Sequence, residues 1–130
     1  MLTLNSAMHV SASGLSAGRT WMDTISTNIA NANSVQIGNK EPWRRQDVEL
    51  QGGPEGVRVV NITKDQSPFV KKYDPTNRNR DIDGNVLASN VEPVIEMVNM
   101  IAASRSYEAN VAAFNTVKGM IKSALNIGKV

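Results

Sequence analysis

Very few side chains in this sequence could carry out chemistry. His9 is the only histidine, and there is no cysteine among the 130 residues. No acidic residue lies three or four positions from His9, so it would lack the partner that general acid–base catalysis requires. None of the usual zinc-ligand sets can be assembled, and the motifs of phosphate loops and serine hydrolases are missing. We therefore predict no catalytic residues, no cofactor and no small-molecule substrate.

One group of polar residues is similar to a calcium-binding loop. Asn79, Asp81, Asp83 and Gly84 fit positions one, three, five and six of the EF-hand pattern. Position twelve of that pattern is a bidentate glutamate, but in this sequence it is Asn90. The first ligand is also a neutral asparagine. We interpret the segment as a solvated turn and predict no metal site.

The run Trp43-Arg44-Arg45 sets an aromatic ring beside two cations. Such a group can stack on a nucleic-acid base or face an acidic partner. Asp47 and Glu49 follow immediately, and the formal net charge of the chain is only +2. We therefore expect local charge pairs at the edge of a β-strand, with no nucleic-acid partner.

The two ends of the chain are the elements that must position everything else, and both carry a heptad pattern typical of paired helices. The N-terminal pattern predicts a helix from Leu4 to Ala32, and small residues such as Gly14 and Gly18 would allow close helix approach. The C-terminal pattern predicts a helix that follows an N-cap at Asn90 and ends near Asn126. Its apolar stripe slips by one residue between Ser104 and Tyr107. We expect the two helices to form an antiparallel pair.

The middle of the chain is interrupted by prolines and glycines and holds most of the charged residues. Alternating, β-branched residues at 56–62 predict a strand that pairs with 47–51 as a hairpin, and 68–73 is a weaker strand candidate. Residues 74–85 read as an extended loop with a turn at Asp83-Gly84. The fold class is therefore mainly α with a small β insert. The expected divisions are an N-terminal helix in 1–35, an insert in 36–90 and a C-terminal helix in 91–130.

The helical stripes also predict which residues would make an assembly interface. The apolar and aromatic set is Leu4, Met8, Leu15, Met22, Ile25, Ile29, Met97, Ile101, Tyr107, Val111, Phe114, Ile121 and Leu125. Polar residues that could fix the register of packed helices are Asn28, Asn31, Asn33, Arg105 and Asn110. Ordinary helix capping is the alternative for the three asparagines of the first helix.

Two motifs carry a resemblance to a known family. The first is the run of residues 26–34, Ser-Thr-Asn-Ile-Ala-Asn-Ala-Asn-Ser, at the end of the first helix. The second begins with Met-Val-Asn at residue 97, continues through Ser-Arg-Ser-Tyr, and is followed by Asn-Thr-Val-Lys at 115–118. The first resembles the signature of the flagellar rod and hook proteins, and the second resembles the proximal-rod FlgC family.

The resemblance implies a structural subunit that stacks helically into the basal-body rod, a tube that crosses the periplasm, encloses the export channel and transmits motor torque. The implied partners are other copies, rod proteins of the FlgB, FlgF, FlgG and FliE types, and the flagellar type III export apparatus. That export route would agree with the lack of a visible Sec signal peptide. Another rod family member and a helical export adaptor or chaperone are the alternatives.

Overall fold

Two long helices, one at each end of the chain, flank four short strands in the sequence of this computed structural model, which describes residues 3–129. In chain order the elements are α1 (Leu4–Ala30), β1 (Gln46–Gly53), β2 (Gly56–Lys64), β3 (Val70–Tyr73), β4 (Asn85–Ala88) and α2 (Pro93–Ile127). The predicted fold class, mainly helical with a small β insert, is confirmed. Within residues 3–129, neither helix is long and apolar enough to cross a membrane.

The ends of α1 are fixed by local side-chain hydrogen bonds. The Thr3 hydroxyl accepts a hydrogen bond from the Ser6 amide at 3.1 Å and caps the N-terminus. Asn31 follows the last helical residue, and its side-chain amide donates to the Thr27 carbonyl at 2.8 Å. Since such asparagine bonds compete with the helical pattern, α1 ends at Ala30, close to the predicted Ala32.

The start of α2 differs from the prediction. Glu92 is the N-cap residue and Pro93 opens the helix, while no side chain caps it. Asn90, the predicted N-cap, instead receives a hydrogen bond from the Arg45 amide at 2.7 Å. Its amide group donates to the carbonyls of Asp65 and Ser67, each at 3.1 Å. The side chain of Asn90 therefore holds the insert in place and is not available to α2.

The helices pack antiparallel, as predicted, and small residues of α1 make the close approach possible. A side-chain carbon on Gly14 would come within 2.8 Å of the Asn110 amide nitrogen, and one on Gly18 would lie 3.4 Å from the Tyr107 ring. Further along, the Ser104 hydroxyl lies 3.8 Å from the Met22 sulfur. The two glycines thus accommodate larger side chains of α2 at the cost of some helix propensity.

The stripe of α2 that faces α1 runs in steps of four and three residues without a slip. Its members are all buried or half-buried: Glu96, Met100, Ala103, Tyr107, Asn110, Phe114, Val117 and Ile121. The predicted stripe placed Met97 and Ile101 in the helix pair, but both side chains are exposed. The predicted phase is one residue off in this half of α2, because the inward-facing position 96 is a glutamate, which an apolar pattern does not include.

The insert consists of two small antiparallel ribbons. Strands β1 and β2 form the predicted hairpin, with Val48 opposite Ile62 and an irregularity between Glu49 and Leu50. Strand β3 pairs with β4. The predicted loop at 74–85 is therefore followed by a strand, β4, which the sequence pattern did not predict. Gly84 has a φ of 81°, as the predicted Asp83-Gly84 turn requires.

The tip of the β1–β2 hairpin rests on α1. The Ser13 hydroxyl donates to the Val10 carbonyl at 2.6 Å and accepts from the Val57 amide at 3.1 Å. A side chain at Gly56, where φ is 119°, would overlap the Ser13 hydroxyl. Helix α1 is therefore covered by α2 on one side and by the hairpin on another.

Substitution of the close-contact glycine tests this packing. Gly18→Leu should lower the free energy of unfolding by about 1–3 kcal/mol, because a Cβ there already touches the Tyr107 ring at 3.4 Å and the rest of the leucine side chain has to displace that ring. The matched control is Gly119→Leu in α2, where an added Cβ would meet no atom within 4 Å apart from those of its own helix backbone and chain neighbours. The control should raise the stability by up to about 0.8 kcal/mol through helix propensity. Urea unfolding followed by circular dichroism measures both, and equal effects would contradict the packing described here.

Candidate assembly interface

Asn28 links α1 to the insert and to α2 through all of its side-chain hydrogen-bonding positions. Its amide nitrogen donates to the Gln46 carbonyl at 2.8 Å and lies 3.5 Å from a Glu96 carboxylate oxygen. Its carbonyl oxygen accepts from the Gln46 amide at 3.0 Å and from the Trp43 indole at 3.1 Å. Asn28 has no exposed surface. Its side chain therefore binds the start of β1 much as a neighbouring strand would.

Glu96 lies beside Asn28, is also completely buried, and forms an ion pair with Arg45. The Arg45 guanidinium also lies 3.6 Å from the carboxylate of Asp47 and 3.6 Å from that of Asp65. Partial burial alone would lower the Arg45 pKa, but the hydrogen bond to Glu96 and the nearby carboxylates raise it overall. Arg45 thus keeps its charge and balances the charge of Glu96.

Asp65 completes this group from the loop after β2. Its carboxylate accepts from the hydroxyl and the backbone amide of Ser67, at 2.6 and 2.8 Å. These two bonds, with smaller contributions from Arg45 and Arg44, lower the Asp65 pKa. We call Asn28, Arg45, Asp65, Asn90 and Glu96 the polar junction, because together they join both helices to the insert.

The predicted register-setting residues have different environments. Only Asn28 belongs to the polar junction, whereas Asn31 caps its own helix and Asn33 is exposed. Asn110 contacts α1 at Gly14. Arg105 is exposed on the side of α2 that faces away from α1. Helix capping therefore applies to Asn31, and a register-setting role stays a prediction for the others.

The predicted apolar set divides into buried and exposed members. Ile25 is buried, and Met8, Leu15, Met22, Ile29, Tyr107, Val111, Phe114 and Ile121 are half-buried within the chain. Leu4, Met97, Ile101 and Leu125 are exposed. The first group stabilises the subunit itself, and the second group is available to another molecule.

Exposed apolar residues are concentrated on one side of α2 near its start. Val94, Met97, Val98 and Ile101 recur at helical spacing, and Val98 and Ile101 keep 60% and 57% of their surface exposed. They point away from Glu96, Met100 and Ala103. We call the side formed by these residues and, further along, Arg105, Glu108 and Ala112 the outer face of α2. Its first half is as apolar as the side that packs on α1.

The residues considered for chemistry take structural positions. Arg44 stacks over the Phe69 ring at 4.2 Å, and the Trp43 indole is bound to Asn28. The Asp81 carboxylate accepts from the backbone amides of Asp83 and Asn85, at 2.9 and 2.8 Å. Within residues 3–129, no three histidine, cysteine or acidic side chains are placed to hold a metal ion. The contacts of Arg44, Trp43 and Asp81 hold parts of the subunit together.

Comparison with known proteins agrees with that geometry. The family model described as "Flagella basal body rod protein" matches residues 8–36, and the one described as "Flagellar basal body rod FlgEFG protein C-terminal" matches residues 82–127. The chain is 39% identical to the flagellar basal-body rod protein FlgC of Bacillus subtilis, over 98% of this chain and the whole of that protein. The chain belongs to the FlgC family.

Other FlgC relatives show the same full-length similarity. The FlgC of Borreliella burgdorferi is 39% identical over 95% of this chain and 97% of its own length. The FlgC of Escherichia coli O6:H1 is 35% identical over 98% of this chain and its own entire length. The chain is a structural subunit of the flagellar basal-body rod.

An isosteric change at Asn28 tests the polar junction. Asn28→Asp should lower the free energy of unfolding by about 3 kcal/mol, because a carboxylate oxygen would face the Gln46 carbonyl and the Glu96 carboxylate. The control Asn33→Asp, at an exposed position of the same motif, should change it by less than about 0.5 kcal/mol. Urea unfolding followed by tryptophan fluorescence compares them. Equal stabilities would show that the buried hydrogen bonds are unimportant.

Removal of the cation gives a second test. Arg45→Met should cost about 3 kcal/mol of unfolding free energy, because it leaves the buried Glu96 carboxylate without its partner. Arg58→Met is the control, since the Arg58 side chain is exposed and donates to the exposed Gln51 side chain at 2.8 Å. Adding Glu96→Gln to Arg45→Met should recover part of the loss. A double variant less stable than Arg45→Met would contradict charge burial as the cause.

Proposed function

We propose that this rod subunit polymerises through the outer face of α2 and carries torque as part of a helical tube. One observation carries the proposal: the first half of α2 is apolar on two opposite sides, and only one of them is covered within the chain. A helix that is apolar on both sides is normally buried on both sides. The exposed side needs a partner, and a rod subunit has neighbours to supply it.

The surface chemistry supports assembly in place of ligand binding. Val94, Met97, Val98 and Ile101 form an exposed apolar ridge on the surface of α2. Continuous apolar surfaces of this kind on soluble proteins mark interaction sites. Close packing of helices through such ridges resists deformation, which is the mechanical property that torque transmission requires.

We further propose that the chain divides into an inner part, formed by residues 1–35 and 91–130, and an insert formed by 36–90 that faces outward. The polar junction supports this division, because Arg45 of the insert pairs with the buried Glu96 of the inner part, and Glu96 lies beside Asn28 of the same part. Force applied to either helix would pass to the insert through these bonds, which are largely shielded from water.

Proposed partners are further copies of the chain and rod proteins of the FlgB, FlgF, FlgG and FliE types. Export through the flagellar type III apparatus is part of the same proposal. The family's structural role supports an absence of enzymatic activity. The near-neutral charge, with no basic stripe along either helix, argues against nucleic acid as a partner.

A charge on the outer face of α2 tests the proposal. Ile101→Asp should leave the helix content unchanged, because Ile101 is 57% exposed in the subunit. It should abolish recovery of the chain in purified basal bodies and abolish swimming in the host strain. The control is Ile82→Asp in the insert, where the side chain is fully exposed at the tip of a loop. Normal swimming and incorporation of Ile101→Asp would contradict the proposal.

A further inference from the structure

We propose that the outer face of α2 in one copy packs antiparallel on the exposed side of α1 in the next copy, and that two ion pairs set the register. The pairs are Arg19 with Glu108 and Asp23 with Arg105, one residue from each copy. This inference rests on the proposed function and names the partner of the outer face: a second copy of this chain.

The starting observation concerns four charged side chains on the two helices. Arg19 and Asp23 are the only charged residues of α1, and both are exposed. Arg105 and Glu108 are exposed on the outer face of α2. None of these four side chains forms an ion pair within residues 3–129. Two charged residues on an otherwise uncharged helix are well placed to select a partner.

The order of the charges fits an antiparallel partner. Along α1 the cation Arg19 precedes the anion Asp23, and along α2 the cation Arg105 precedes the anion Glu108. When the second helix is reversed, each cation faces an anion. The charges are separated by about 6 Å along α1 and about 4.5 Å along α2, a difference that long side chains span. A parallel arrangement would either bring like charges together or, when shifted, form only one of the two pairs, so the pattern favours the antiparallel one.

The same alignment also matches the shapes of the two surfaces. The exposed side of α1 beyond Asp23 carries the small residues Ser26 and Ala30. With Asp23 opposite Arg105, these residues lie opposite Ile101 and Val98, the large exposed residues of the outer face. Packing large side chains against small ones would let the two helices approach closely. Gly14 and Gly18 allow the same kind of approach between α1 and α2 inside the subunit.

The contact joins two different surfaces, so it does not close into a dimer. The exposed side of α1 faces away from α2, and the outer face of α2 faces away from α1. Each copy can therefore contact one neighbour through the exposed side of α1 and another through the outer face of α2. Such head-to-tail contacts generate rings or helical arrays. The antiparallel pairing inside each subunit would then continue from one subunit to the next.

Disulfide trapping in basal bodies tests the contact, because the natural chain contains no cysteine. The variant Asp23→Cys with Arg105→Cys should give a ladder of covalent multimers under mild oxidation, since a bond between these positions can form only between copies. Either single variant should give no ladder. The pair Asp23→Cys with Glu55→Cys, which places the second thiol at the hairpin tip, is the control and should also give none.

Charge exchange provides a second, independent readout. Asp23→Arg and Arg105→Asp, made separately, should each lower the amount of chain in basal bodies by about tenfold, because each creates like-charge contacts. The two together restore opposite charges and should recover most of the wild-type amount. Glu55→Arg is the control for a change of surface charge and should have no effect.

The outcomes separate the two proposals. If the double cysteine variant is present in basal bodies but remains monomeric, the contact between copies is wrong and the rod function stands. If each charge reversal is tolerated, or the exchanged pair is no better than the single variants, the assigned register is wrong. If the wild-type chain itself is missing from basal bodies, both proposals fail.

Discussion

Burial of the Glu96 carboxylate imposes the strongest constraint on this fold. A completely buried charge is costly unless a cation and hydrogen-bond donors surround it, and here Arg45 and Asn28 provide them. Arg45 precedes β1 and Asn28 lies near the end of α1, so the requirement fixes both helices and the insert at one point. Trp43 and Asn90 add bonds to the same neighbourhood. The polar junction therefore anchors the insert to both helices.

Each helix has one side that is packed within the subunit and another side that remains exposed. On one side of α2, Ala103, Tyr107 and Phe114 pack on α1. On the opposite side, Val98 and Ile101 remain exposed. The glycines at 14 and 18 permit the first contact, and the small exposed residues of α1 would permit an equivalent contact between subunits. A structural protein of the basal-body rod needs both kinds of contact from the same pair of helices.

The sequence predicted those features of the fold that depend on neighbouring residues. Both helices and the β1–β2 hairpin follow from heptad and alternating patterns, which are local. The phase of α2 near its start was wrong because Glu96 was excluded from an apolar stripe. Counting back from Tyr107 in heptad steps would have led to Ala103, Met100 and Glu96, so the apparent slip at Ser104 was the available signal. Strand β4 and the role of Asn90 depend on distant partners, Val70–Tyr73 and Arg45. No local pattern in the sequence contains that information.

Cryo-electron microscopy of a purified basal body, with density assigned to this chain, tests the account most directly. We expect α1 and α2 to appear as an antiparallel pair in the wall of the rod, with Glu96 and Arg45 in contact and with Val98 and Ile101 covered by a neighbouring subunit. A rod in which these two residues of α2 face solvent, or in which the helices of this chain are not paired, would contradict it.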